Sequence, residues 1–210
     1  MTQAVTMRAP TPPSVVTEPP RIVAVAQVPK IAYVQAAWYR RAPRRSKAIW
    51  IVLHATAGAE GKLKAEDSAR MVASIPPRSK GGKPRSYHLV IDTNSVVKAV
   101  PFDREAFHCG ATGNRYGEAI EFCGSAEQTR EQWMDELSLP MLCIGARVVR
   151  WRCDQIGAPL VYRDYNALRA MLPGITTHAQ IAKAFPKDTN HHDPGSGFPM
   201  AAFIEAVVRA

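Results

Sequence analysis

One apolar run, Ile49-Trp50-Ile51-Val52-Leu53, ends directly at a histidine, His54. A strand with one face in water alternates apolar and polar residues, whereas a nearly continuous apolar run is typical of a strand covered on both faces. Such strands occur in sheets that carry helices on both sides. The run therefore predicts a buried strand over about residues 48–54, with His54 at its end.

The rest of the chain alternates between β-rich and helical segments. Tyr87–Asp92 and Val96–Val100 are β-rich and are joined by Thr93-Asn94-Ser95, which predicts a hairpin. A further strand is predicted over Ala119–Cys123. Four segments are predicted to be helical: 65–75, Pro140 to Ile156, 163–171 and 198–208. We therefore expect an α/β fold, a single domain with a central mixed β-sheet flanked by helices.

The N-terminal segment differs in composition from the rest. Residues 1–50 hold seven of the 17 prolines and no glycine. Thr11-Pro12-Pro13 and Glu18-Pro19-Pro20 favour an extended, polyproline-like chain. We predict that residues 1–36 form a poorly ordered, Pro-rich basic arm or linker, and that residues 37–210 form the folded domain.

The net charge of +9 is unevenly distributed. Residues 1–50 contain eight Lys or Arg against one acidic residue, which leaves 19 basic and 17 acidic residues in 51–210. Arg147, Arg150 and Arg152 on the long predicted helix are interpreted as a solvated face. A nearly neutral body without interleaved basic and aromatic residues disfavours a nucleic-acid-binding protein.

The sequence shows no secretory signal, because Arg8, the prolines and Glu18 interrupt any apolar segment near the start. No run approaches the roughly 18 apolar residues that cross a bilayer. We therefore expect production in the cytoplasm. The cysteines form no Cys-x-x-Cys pair, so neither a zinc ribbon nor a thioredoxin-like site is expected. A reducing compartment disfavours a disulfide framework, and three of the four cysteines are predicted core residues.

Two distant segments supply residues that could join His54. His178 follows Gly174-Ile175-Thr176-Thr177, and Asp193 lies in His191-His192-Asp193-Pro194. Two imidazoles and a carboxylate can hold one Zn²⁺ and leave the fourth tetrahedral position open for water, as in hydrolytic zinc sites. Spacing alone does not establish this site, because a histidine at a strand end is more often a hydrogen-bonded core residue.

Six segments carry a resemblance to a known family. They are Ile51-Val52-Leu53-His54-Ala55-Thr56, Ser86-Tyr87-His88-Leu89-Val90-Ile91-Asp92, Phe107-His108-Cys109-Gly110, Ala119-Ile120-Glu121-Phe122-Cys123-Gly124, Thr177-His178 and Asp193-Pro194-Gly195-Ser196-Gly197-Phe198-Pro199. In this order they resemble zinc N-acetylmuramoyl-L-alanine amidases of the type-2 amidase and peptidoglycan-recognition-protein superfamily, over about residues 37–208. The stretch from Glu121 to Trp133 is most similar to endolysins of phages that infect actinobacteria.

The resemblance implies one Zn²⁺ held by His54, His178 and Asp193, although the family often has cysteine as the third ligand. It also implies cleavage of the amide bond between N-acetylmuramic acid and the L-alanine of the stem peptide. Glu121 would act as the base toward water. If Ile120 and Phe122 face the core, strand alternation turns Glu121 to the opposite side. The alternative for Glu121 is a strand-end carboxylate paired with an arginine.

Further site residues follow from the same resemblance. His191 stands where many relatives have a lysine that stabilises the oxyanion, so we expect activity to fall above about pH 7 to 8. Tyr87 would hydrogen-bond the oxyanion, or be a strand aromatic in the core. His108 and Asn114 resemble residues that line the glycan–peptide groove, and the basic loop Arg78–Arg85 is predicted at the rim of the cleft.

Three alternatives remain at this point. His192 is a weaker candidate than Asp193 for the third ligand. A non-catalytic peptidoglycan-binding module is the main competitor to the enzyme. The Pro-rich arm either serves as a linker or binds anionic wall polymers by electrostatic attraction. For an endolysin we expect a monomer that is made in the host cytoplasm and reaches peptidoglycan after the membrane is permeabilised.

Overall fold

A computed structural model of the chain describes residues 20–210 and contains one six-stranded mixed sheet. The strands are β1 (Ile31–Tyr33), β2 (Trp50–Ala55), β3 (Leu89–Ile91), β4 (Val96–Lys98), β5 (Gly117–Phe122) and β6 (Gly174–Thr177). Their order across the sheet is β1-β4-β3-β5-β2-β6. Only the β3–β4 hairpin is antiparallel, and the other four neighbouring pairs are parallel. The predicted mixed sheet and hairpin are confirmed.

Seven helices accompany this sheet in the described part of the chain. They are α1 (Lys64–Ala73), α2 (Gly110–Tyr116), α3 (Arg130–Trp133), α4 (Ser138–Ile156), α5 (Tyr165–Arg169), α6 (His178–Ala184) and α7 (Met200–Arg209). A 3₁₀ turn spans Arg78–Lys80. Across residues 20–210, no helix combines the length and apolar character that a membrane span requires.

Strand β2 is covered on both faces, as its apolar run predicts. Ile51 and Leu53 belong to the main core, where α4 packs on β2, β3 and β5. Trp50 and Val52 point the other way, into a smaller apolar cluster that includes residues of α5 and α6. Because side chains alternate along a strand, His54 shares its face with Trp50 and Val52.

Three neighbouring parallel strands end at the same edge of the sheet. In the β2–β5 pairing His54 is the register partner of Glu121, so their side chains lie on the same face. In the β2–β6 pairing Leu53 is opposite Thr177, and His178 follows as the first residue of α6. Ligand sites of α/β sheets form beyond the carboxyl ends of parallel strands. This edge therefore brings together residues from β5, β2 and β6.

Residues 20–36 depart from the predicted disordered arm. Strand β1 pairs in parallel with β4, and Ile22 and Ala36 are buried. The Val25 N–H donates to the carbonyl of Cys143 on α4. A three-residue edge strand whose partner lies far along the chain leaves no local sequence pattern. The proline-rich, basic composition of this segment indicates a disordered arm instead. The remainder of the predicted arm, residues 1–19, lies outside the described residues.

One arginine lies elsewhere than predicted, and a second makes contacts that the sequence did not indicate. Arg152 is buried and forms a two-bonded ion pair with Glu118 of β5, at 2.8 and 2.9 Å, so it is not part of a solvated helix face. Arg44, from the basic N-terminal quarter, donates to the carbonyl oxygens of Arg104 and Gly117 at 2.8 and 2.7 Å. Both arginines therefore join segments of the fold. The four cysteines are free thiols and three are buried, as predicted.

Candidate active site

His54, His178 and Asp193 converge at the edge where β2 and β6 end. The Nδ1 atom of His54 lies 2.9 Å from one carboxylate oxygen of Asp193, and the Nδ1 atom of His178 lies 3.0 Å from the other. The two imidazole rings approach edge-on, with 4.8 Å between their centroids. All three residues are buried. The structure thus assembles the three predicted metal ligands.

The loop after α6 is tied back to the start of that helix. The Ala179 N–H donates to the backbone carbonyl of Asp193 at 3.0 Å. The Thr177 hydroxyl caps α6 by accepting from the Gln180 N–H, which fixes the turn from β6 into the helix. One short stretch of backbone therefore positions both His178 and Asp193.

The electrostatics of this cluster suit a cation. Burial opposes the charge on Asp193, but hydrogen bonds from His178 and His54 outweigh burial and lower the pKa of Asp193 far below its usual value. Burial lowers the pKa of His178, which favours the neutral form of its ring. A charged carboxylate and a neutral imidazole are the protonation states in which these side chains bind metals.

The geometry also fits a metal ion. One donor atom from each residue lies within 4.8 Å of the others, and the two Nδ1 atoms are about 3 Å from the carboxylate oxygens. Tetrahedral zinc with bonds of about 2.0 Å holds its ligands roughly 3.3 Å apart. The Nε2 atom of His54 faces His108 at 3.0 Å and that of His178 faces the Thr189 hydroxyl at 2.7 Å. In each ring Nδ1 is therefore the nitrogen that faces Asp193 and would bind the ion.

A second group, His54, His108 and Cys109, is also compact enough to hold an ion. Burial raises the pKa of the Cys109 thiol well above its usual value, which disfavours the thiolate that binds metals. The group containing Asp193 is therefore the better metal site.

Glu121 lies at the same edge and faces the same side as His54. In residues 20–210, no ion pair joins its carboxylate to an arginine, whereas Glu118 and Glu105 do form such pairs. Burial, together with the charge of Asp193, raises the pKa of Glu121 well above its usual value. The alternative of a carboxylate paired with arginine is thus not observed.

A cavity of about 550 Å³ opens over this cluster. It is lined by the three predicted ligands, by Glu121 and by three more of the predicted site residues, Tyr87, His108 and His191. Asn114 is not among the lining residues. Instead, its side-chain oxygen accepts from the backbone N–H groups of His108 and Cys109, at 2.8 and 2.9 Å. Asn114 therefore holds the loop that carries His108.

Tyr87 is buried beside α1 and also borders the cavity. The side chain is buried, and its hydroxyl lies 2.7 Å from the Ser68 hydroxyl of α1. Burial raises the pKa of Tyr87, so the phenol stays protonated and can donate a hydrogen bond. Its edge nonetheless contributes to the cavity wall.

His191 and His192, which precede Asp193 in the chain, point in different directions. The ring of His191 stacks on His178, with 4.7 Å between centroids, and its Nδ1 atom lies 3.8 Å from Asp193. Burial and the adjacent His178 lower the pKa of His191, which reduces its protonated fraction. His192 is exposed and contacts Glu127 at 2.9 Å. The weaker prediction of His192 as third ligand is therefore not realised.

Several residues of the site left little signal in the sequence. Arg85 is the sole lysine or arginine that lines the cavity within residues 20–210, and it contacts the Met71 sulfur at 2.9 Å. It lies at the end of the basic loop that the sequence placed at the rim. Ser68 and Thr189 contact Tyr87 and His178, and nothing local to either residue indicates this.

Comparisons with known proteins agree with this geometry. The sequence profile of the family Amidase_2, described as N-acetylmuramoyl-L-alanine amidase, matches residues 44–196. A search of curated proteins gives no match.

Similar folds occur among solved structures. Staphylococcus aureus hydrolase AmiA, in complex with its ligand, has 16% identity and a TM-score of 0.63, covering 87% of this chain and 85% of AmiA. A mutant endolysin from Bacillus subtilis has 15% identity and a TM-score of 0.59, with coverage of 85% and 98%. A selenomethionine derivative of AmpD has 20% identity and a TM-score of 0.59, with coverage of 84% and 94%. At these identities the likeness concerns the fold.

Proposed function

Because the chain belongs to the N-acetylmuramoyl-L-alanine amidase family, we propose that it hydrolyses the amide bond between N-acetylmuramic acid and the L-alanine of the stem peptide. The observation that carries the proposal is the convergence of His54, His178 and Asp193 beside Glu121 in one cavity. This complete set favours an enzyme over a peptidoglycan-binding module without catalysis.

The proposed cofactor is one Zn²⁺ ion, held by His54, His178 and Asp193. When bound, zinc supplies a Lewis acid that polarises a carbonyl and lowers the pKa of water to about 7. The protein contributes a negative charge at Asp193 and the orientation of both imidazoles. The contacts from His108 and Thr189 fix which nitrogen of each ring faces the carboxylate.

Glu121 is the proposed general base. Its carboxylate lies on the cavity side of β5, opposite His54 in the strand register, where it can accept a proton from the attacking water. The same proton can then pass to the nitrogen of the leaving L-alanine. Burial favours this exchange, because a carboxylate with a raised pKa holds a proton more readily.

Tyr87 and His191 are proposed to stabilise the oxyanion that forms on the scissile carbonyl. Tyr87 can donate its phenolic proton, and a protonated His191 can donate from the outer side of the cavity. His108 and the loop held by Asn114 are proposed to contribute to the substrate groove. His191 thereby takes the place of the lysine that many relatives have. Unlike a lysine, its positive charge is lost as the pH rises through the neutral range.

The biological setting is proposed to be bacteriophage-driven lysis of the host. The proposal rests on the resemblance of the segment from Glu121 to Trp133 to endolysins of phages that infect actinobacteria. The likeness of the fold to an endolysin from Bacillus subtilis supports it. An enzyme of this kind is made in the host cytoplasm, acts as a monomer and reaches peptidoglycan after the membrane is permeabilised.

The test is digestion of purified peptidoglycan with and without a chelator, followed by identification of the new chain ends. We expect new L-alanine amino groups, no new reducing sugars, and loss of both activity and product after chelation. New reducing ends would identify a glycosidase and contradict the proposal.

A further inference from the structure

His108 makes a contact that a residue lining a substrate groove does not need. Its Nδ1 atom lies 3.0 Å from the Nε2 atom of His54, and the two rings meet edge-on at 5.1 Å between centroids. The other nitrogen of His54 faces Asp193. His108 and Asp193 therefore contact opposite nitrogens of one imidazole.

The proton on His54 decides the direction of this contact. A ring nitrogen that binds a cation carries no proton, so a neutral His54 that uses Nδ1 as ligand has its proton on Nε2. That N–H group needs an acceptor, and Nδ1 of His108 is within hydrogen-bond distance of it. Metal-binding histidines usually donate this hydrogen bond to a carboxylate, a backbone carbonyl or water. Here the acceptor is a second imidazole.

The His108 ring is itself held in place. Asn114 accepts hydrogen bonds from the backbone N–H groups of His108 and Cys109. A Cβ atom at Gly117 would lie 3.4 Å from the His108 ring, an ordinary van der Waals distance, so the backbone at Gly117 borders the ring. The ring of His88 meets the other side of His108 edge-on, at 6.2 Å. The acceptor is thus fixed from three directions.

We propose that His108 is a positioning residue for His54: it accepts the Nε2–H hydrogen bond and so directs Nδ1 toward the metal site. The inference rests on the zinc site proposed above. It assigns to His108 an effect on metal affinity that does not require substrate, and it gives Asn114 a role through the same loop.

The test compares three variants of the full chain by the affinity of the purified protein for zinc alone, measured by competition with a chromophoric chelator. His108→Phe keeps a planar ring without an acceptor, and His108→Asn places an amide oxygen near the position of Nδ1. Cys109→Ala tests the other compact group of possible ligands. The unfolding midpoint of each zinc-free variant is measured in parallel.

We expect H108F to weaken zinc binding by about 10- to 100-fold, as loss of an outer hydrogen bond to a metal ligand does. H108N should recover most of this loss, and C109A should bind zinc like the unaltered chain. If H108F does not fold, H108L provides the same comparison with a smaller side chain.

Three results would overturn the inference. They are unchanged zinc affinity in H108F, equal losses in H108F and H108N, or a loss in C109A as large as that in H108F, which would make His108 and Cys109 direct ligands. The measurement contains no substrate. A chain that binds zinc as expected but leaves peptidoglycan intact would therefore contradict the proposed function and not the assignment of His108.

Discussion

Asp193 is the residue on which the candidate site depends most directly. Its two carboxylate oxygens contact the two histidine Nδ1 atoms separately, and its pKa is lowered by both contacts. Without this carboxylate, two neutral imidazoles would have to hold a dication with no balancing negative charge. His192, the residue immediately before Asp193, offers a matched control for substitution, because its side chain contacts Glu127.

We expect Asp193→Ala to lose high-affinity zinc binding and peptidoglycan cleavage, and His192→Ala to keep both. The reason is that Asp193 contacts both proposed ligand histidines, whereas the His192 side chain contacts Glu127. Zinc content after gel filtration and release of L-alanine amino groups check this prediction. Loss of zinc in H192A would show that the ligand set had been assigned to the wrong residue.

Glu121→Gln should retain zinc but lower turnover by about 10²-fold or more, because the amide cannot accept a proton from water. Glu127→Gln serves as the control, since that carboxylate is exposed and contacts only His192 among the side chains described. Both variants are assayed on purified peptidoglycan, with zinc affinity measured alongside. Full activity of E121Q would remove Glu121 from the mechanism.

The residues of the site were more predictable than their contacts. Order along the chain and resemblance sufficed to select His54, His178, Asp193 and Glu121, and alternation along the strand turned Glu121 toward the cleft. The hydrogen bond between His108 and His54 was not predictable, because it joins two rings 54 positions apart. Its direction also depends on which nitrogen binds the ion.

At the scale of secondary structure, the buried pair between Arg152 of α4 and Glu118 of β5 joins the longest helix to the sheet. The Arg152 guanidinium also lies 3.6 Å from the centroid of the Phe102 ring. Both charged groups are withdrawn from water, so each depends on the other. Arg150, on the same helix, forms a more exposed i,i+4 pair with Asp154.

Arg152→Met should destabilise the domain by about 3–5 kcal/mol, because it leaves Glu118 buried and unpaired. Arg150→Met should cost less than about 1 kcal/mol, as exposed pairs do. Urea denaturation followed by circular dichroism measures both. The double variant Arg152→Met with Glu118→Leu should regain much of the lost stability. Equal effects of R152M and R150M would show that burial of the pair does not matter.

Elements with a strong local pattern were predictable, and short ones were not. The buried strand β2, the β3–β4 hairpin, β5 and α4 follow from apolar periodicity and lie within a few residues of their predicted bounds. β1 and β6 contain three and four residues and are stabilised by distant pairing partners. The four-residue helix α3 begins with a capping box between Thr129 and Gln132, which is its one clear sequence signal.

At the scale of the whole molecule, the proposed metal site connects segments from opposite ends of the domain. We expect zinc to stabilise the folded state, because the unfolded chain does not hold the three ligands together. Free zinc at 100 times its Kd should add about 2.7 kcal/mol to the free energy of unfolding. Thermal unfolding with and without chelator checks this, with Asp193→Ala as a control that should not respond. An unchanged midpoint would argue against a metal site.

The distribution of charge makes a second prediction at this scale. We propose that the basic arm, residues 1–36, contacts anionic wall polymers, together with the exposed Arg41 and Lys47 that follow it. Retention on purified cell walls should then weaken as salt rises, because the Debye length shortens. The double variant Arg41→Gln with Lys47→Gln should reduce the salt dependence. An identical salt profile for this variant would exclude these two residues from wall binding.

The pairing of β2 with β6 joins Trp50 to Gly174 across most of the domain. A ribosome must therefore reach Gly174 before the central strand gains its second neighbour, and it must pass Asp193 before all three candidate ligands are present. Chains that terminate before β6 would expose the unpaired edge of β2 to solvent. Exposed edges of apolar strands promote aggregation. Chains that extend past Asp193 are thus the first that can hold the proposed ion and gain any hydrolytic activity that depends on it.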